Sequence, residues 1–115
     1  MTYPKNIHQA YHAHVYYDEH NQDIARGIVE HCGNHFQVNV GRFHLKLVGP
    51  HPKWSCQLAF NQSEFDQIIP WLGEHRQGLT VFVHGVTGDD IVDHTDYAYW
   101  LGEPVELNLQ FFGVQ

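Results

Sequence analysis

The chain has 115 residues, with 6 Lys+Arg, 13 Asp+Glu and 11 His, and a formal charge of −7. That balance argues against a nucleic-acid backbone as partner, which needs clustered cations, and no apolar run reaches the ~18–20 residues of a membrane span. The length suits one domain over residues 1–115; the absence of an apolar leader in residues 1–12 and the presence of only two cysteines, Cys32 and Cys56, point to a reduced, cytoplasmic setting.

Residues 11–17 (YHAHVYY) are aromatic and β-branched and predict a first strand. A helix follows from about Gln22, with Ile24, Ile28 and Val29 at helical spacing and Gly33-Asn34 as its stop. Residues 36–48 alternate and predict a long second strand, bulged at Gly41. The GPHP sequence at 49–52 is a turn, and residues 54–60 predict a third strand. Ser63 offers an N-cap for a second helix with the stripe Phe65, Ile68, Ile69 and Leu72. Pro70 should kink or shorten that helix, and Gly78 ends the segment. Residues 79–86 predict a fourth strand, 85–96 a polar loop, 97–101 a helical turn and 105–111 a last strand. The order β-α-β-β-α-β is that of a ferredoxin-like α+β sandwich, an antiparallel sheet with two helices on one face. Its other face is left open, as a binding floor or a dimer interface.

Strand side chains alternate between faces. Ala13 and Val15 then face the helices, leaving His12, His14 and Tyr16 on the open side. In the second strand Phe43, Leu45 and Leu47 go inward and Arg42, His44 and Lys46 outward. In the third, Cys56, Leu58 and Phe60 go inward and Ser55 and Gln57 outward; in the fourth, Val81 and Val83 go inward and Thr80, Phe82 and His84 outward. The ferredoxin-like order sets the first strand between the third and fourth, so His84 lies beside the first strand's histidines at a spacing of ~4.8 Å. An H-x-H pair on a strand aims two imidazoles the same way, and imidazole ligates zinc, copper and iron. His12, His14 and His84 are therefore the candidate metal ligands, against the plainer reading of half-exposed histidines on a sheet. The loop 85–96 carries Asp89, Asp90, Asp93 and Asp96, candidates to hold a ligand's second ring nitrogen, and its spacing misses the calcium-loop pattern. His94 in that loop and His51 between two prolines have the chemistry of acid–base groups. His8, His20, His31, His35 and His75 read as surface residues, and no nucleophile elbow, P-loop or dinucleotide fingerprint occurs.

Residues 11–17 (YHAHVYY), 48–52 (VGPHP), 84–94 (HGVTGDDIVDH) and 98–102 (AYWLG), in that order, resemble the DOPA 4,5-dioxygenase family, over about residues 11–109. The family comprises fungal pigment enzymes and small bacterial proteins. The resemblance implies a ferredoxin-like homodimer that cleaves DOPA or a related catechol with O₂ in the extradiol manner. The metal it implies is a histidine-bound non-haem Fe(II), with zinc or another divalent ion as the alternative. It implies acid–base roles for His51 and His94 and substrate contacts from Arg42, Lys46, His44 and Tyr16, with Arg42 and Lys46 suited to a substrate carboxylate. The usual extradiol triad of two histidines and a carboxylate is not matched, since the strands offer three histidines. Two other readings are a dimeric module that binds a metal or small molecule without turnover, and a cofactor-free oxygenase of similar build.

Overall fold

The computed structural model describes residues 5–113. Period-two alternation sorts β1 (Ala10–Tyr17) into two sides, and this strand becomes the centre of the sheet. It pairs antiparallel with β3 (Trp54–Asn61) on one edge and β4 (Val81–Gly85) on the other. Outside these lie β2 (Asn39–Val40) and β5 (Ala98–Leu101), giving the order β2-β3-β1-β4-β5. The first four strands follow the ferredoxin-like order, and β5 is an added edge.

The helices α1 (Gln22–His35) and α2 (Gln62–His75) cover one face. Ala25, Ile28, Val29 and Cys32 of α1 recur at helical spacing and meet Phe65, Ile68, Ile69 and Leu72 of α2 over Ala13, Val15, Leu58, Val81 and Val83. Ile24 lies outside this stripe and is exposed. Gly33 does not stop α1, which runs on to His35. Its missing side chain admits β2, since a Cβ there would sit 3.0 Å from Val40 Cγ2. Asn61 rather than Ser63 precedes α2, and the helix continues through the exposed Pro70. No helix of the described residues is long and apolar enough to cross a membrane.

Three expected elements differ. Residues 36–48 form only the two-residue β2, extended by bonds from Gly41 N–H to the Gln57 carbonyl and from His44 N–H to the Ser55 carbonyl. Phe43 reaches the helix side, where it stacks on Tyr17 at 4.2 Å with the Arg26 guanidinium 4.1 Å over its ring. Leu45 and Leu47 do not go inward but are exposed, because nothing covers this outer edge and alternation without a burying partner makes no strand. The expected helical turn at 97–101 is strand β5, with Leu101 opposite Val81 and Tyr99 opposite Val83; the free edge of β4 outweighs local turn preference. The expected strand at 105–111 pairs with no other strand among the described residues, and ends in a 3₁₀ turn, Leu109–Phe112.

That terminal segment changes the second face of the sheet. Asn108 N–H donates to the Pro50 carbonyl at 2.8 Å, which ties it to the turn at 49–52. Together they roof the face expected to be open. His14, Tyr16, Phe82 and His84 point away from the helices, yet each is at most 5% exposed.

Gly102 follows β5 at φ +88, and a Cβ there would lie 2.5 Å from Arg76 Nη1. Gly102→Ala should destabilise the protein by about 1–3 kcal/mol in urea denaturation. Gly27→Ala, at an exposed α1 position with open space around it, should stabilise it by about 0.5–1 kcal/mol.

Candidate metal centre

The β1–β4 register sets His12 opposite His84 and His14 opposite Phe82. One ring nitrogen from each of His12, His14 and His84 lies within 4.8 Å of the others. Nε2 of His14 is 3.0 Å from Nε2 of His84. His84 Nδ1 donates to the Gly85 carbonyl at 2.8 Å, and a carbonyl only accepts, so the lone pair of His84 is on Nε2. Backbone support of this kind is what orients a metal-binding imidazole. Two nitrogens each ~2.1 Å from one ion and at a right angle would be ~3.0 Å apart, so the spacing suits a shared ion.

Burial holds these imidazoles neutral, the form in which they ligate. Desolvation lowers His14 well below the usual histidine range, and His51, His84, His12 and His94 add to the effect. His84 is pushed down to about 3, mainly by desolvation, with the Gly85 carbonyl opposing. His12 is lowered by burial and by His94, with Asp93 opposing. The donor set therefore fits a divalent transition ion of the zinc or iron type.

His51 and His94 close the site, each held by a hydrogen bond at Nδ1. The Tyr16 hydroxyl is 2.6 Å from His51 Nδ1. Burial raises the Tyr16 pKa, so it stays a phenol, and it has no second partner among the described residues. A phenol donating to Nδ1 would leave the His51 proton on Nε2; the His51 ring lies 4.2 Å from that of His14. His94 follows the short helix α3 (Asp90–Asp93), whose start is capped by the Asp89 side chain accepting from Val92 N–H. His94 Nδ1 donates to the Asp90 carbonyl at 2.7 Å, leaving a lone pair on Nε2, with the ring 4.2 Å from His84.

The five histidines, with Gln57, Asp93 and Phe112, line a cavity of about 200 Å³. Asp93 is buried, but its two oxygens accept from Thr87 N–H and Oγ1, so it anchors the loop. Contrary to expectation, backbone carbonyls rather than aspartate side chains hold the second nitrogens of His84 and His94. Arg42 and Lys46 are exposed on the irregular 41–48 segment and do not line this cavity. His44 is half-buried and close enough to depress His51. Phe112, which packs 4.7 Å from His94, was not legible as a site residue, because its place depends on the terminal segment folding back.

The sequence matches the Dopa 4,5-dioxygenase family over residues 11–111. It is 31% identical over 115 residues to an uncharacterised 21.2 kDa protein of Botryotinia fuckeliana, covering 90% of this chain and 63% of that one. It is 25% identical over 108 residues to a DOPA 4,5-dioxygenase of Amanita muscaria, covering 86% of this chain and 47% of that one. The chain therefore spans less than two thirds of the length of either relative. The crystal structure of a proposed dioxygenase from Nostoc punctiforme superposes with a TM-score of 0.89 at 43% identity, over 91% of each chain.

Burial also sets a pH dependence. His51 is lowered to about 4, first by desolvation and then by His94 and His44. Its folded pKa lies below the unfolded value of 6.5, so the unfolded chain binds more protons in that window and stability falls as pH falls. The Tm of the metal-free protein should drop between pH 7 and pH 4, and drop less steeply in His51→Gln. Titration with Co(II) or Zn(II) should give one tight site per chain, weakened at least about tenfold by His14→Ala.

Proposed function

The chain belongs to the Dopa 4,5-dioxygenase family, and on that premise we propose that it is an extradiol ring-cleaving dioxygenase acting on DOPA or a related catechol. Its non-haem Fe(II) is held by His12, His14 and His84. The observation that carries the reading is the convergence of these three imidazoles, two buried and one half-buried, flanked by His51 and His94, each held at Nδ1. The C–C bond beside the two hydroxyls breaks, and both atoms of O₂ end in a ring-opened muconic semialdehyde. The ring supplies the electrons, so no outside reductant is consumed. A homodimer in the cytoplasm belongs to the same reading.

When bound, an iron ion supplies Lewis acidity toward the catechol oxygens and electron exchange with O₂. The chain's own residues do the remaining work. His94 Nε2 accepts a proton from a catechol hydroxyl, and His51 Nε2–H returns one later. Tyr16 holds His51 in the tautomer that can donate. Pro50 and Phe112 in the roof keep bulk water from the ring, and the chamber fixes the ring's orientation. A second reading, a metal-binding module without turnover, is favoured by the all-histidine donor set, which also suits zinc.

Oxygen uptake with a yellow product should follow addition of a catechol to the Fe(II)-loaded protein, and tight zinc binding with no uptake from any catechol would overturn the proposal. His14→Ala should lose iron and activity together. Tyr16→Phe should keep its iron and KM, lower kcat by about tenfold and move the acidic limb of the pH–rate profile.

A further inference from the structure

Two cavities have His94 in their walls. The chamber of about 200 Å³ is smaller than the ~300–1,000 Å³ that encloses a drug-sized ligand. It takes an aromatic ring with its two oxygens and leaves the ring's side chain outside. The second cavity, about 730 Å³, is a groove between β5 and residues 105–110, lined among others by His94, Thr95, Trp100, Glu106 and Asn108. His94 borders both, so a ring held beside it lies next to this groove.

The charges around that path have one sign. The chain has six side-chain cations, Lys5, Arg26, Arg42, Lys46, Lys53 and Arg76, all among the described residues, and none lines the chamber or the groove. Arg26 lies over Phe43, and Arg76 donates to the Leu79 carbonyl. Carboxylates do line the path: Asp90 and Asp93 at the chamber, Glu106 in the groove. A substrate carboxylate there would meet only like charge, which is unfavourable by Coulomb's law even where water screens it. An ammonium there would lie among Glu106, Asn108 and Trp100, which line the groove.

We infer that the groove selects catechols whose side chain is cationic or neutral and disfavours those that carry a carboxylate, so that a catecholamine is preferred to the corresponding amino acid. The inference rests on the ring-cleavage reading for where the ring sits, and it replaces the expectation that Arg42 and Lys46 receive a carboxylate.

Dopamine, L-DOPA and 3-(3,4-dihydroxyphenyl)propionate differ in the groups at issue and test it on the Fe(II)-loaded full chain. We expect kcat/KM for oxygen uptake to be highest with dopamine, about tenfold lower with L-DOPA and lowest with the propionate, with the difference mainly in KM. Glu106→Lys should narrow the dopamine-to-propionate ratio by about threefold, and salt at about 0.5 M should narrow it in the wild type. An equal or reversed order overturns the inference while leaving ring cleavage standing. If none of the three is turned over, the ring-cleavage reading fails only when no other catechol is turned over either. Calorimetry of the same three ligands on the Zn(II)-loaded protein then decides: the same affinity order upholds the selectivity, and an equal or reversed order overturns it.

Discussion

The pairing of β1 with β4 is the constraint on which the site depends. With His12 directly opposite His84, every second residue of β1 is delivered to one surface, and His14 comes to 3.0 Å from His84. A register slip of one residue would turn both β1 histidines toward the helices and send Ala13 and Val15 to the metal side. What prevents the slip is the apolar half of the same strand: Ala13 and Val15 are fully buried against α1 and α2, so the core and the site are held by one alternation.

The second feature is the roof. A bare sheet face would leave imidazoles in water, largely titrating near their ordinary pH. The 49–52 turn and the terminal segment, tied by the Asn108–Pro50 bond, remove most of that water. Desolvation then keeps His14, His51 and His84 neutral, as ligands and proton-transfer groups require. The same enclosure makes charge decisive. No Lys or Arg side chain lines the chamber or the groove beside it, whereas Asp90, Asp93 and Glu106 do.

His51 and His94 illustrate how backbone context assigns chemical role. Both are histidines on loops beside the same cluster, and their composition gives no reason to tell them apart. A phenol meets one Nδ1 and a carbonyl the other, so a hydroxyl that can donate holds His51 while a group that only accepts holds His94. The asymmetry comes from Tyr16 on a strand and from one turn of helix in the acidic loop, elements far apart in sequence.

Much of this was determined by local sequence. The alternation in residues 11–17, 54–60 and 79–86 marks three central strands and their faces, and the stripes of α1 and α2 mark the helices, because burial on one side leaves a periodic trace. His12, His14 and His84 were legible for the same reason. Residues 36–48 carry the same trace without a neighbour to bury it, so Leu45 and Leu47 lie exposed and only Asn39–Val40 pair. Only the tertiary structure decided that 97–101 would extend the sheet, that 105–112 would fold back over the histidines, and that Arg42 and Lys46 would stand away from them. These outcomes depend on contacts between segments distant in the chain, such as Asn108 with Pro50, and no local period records them.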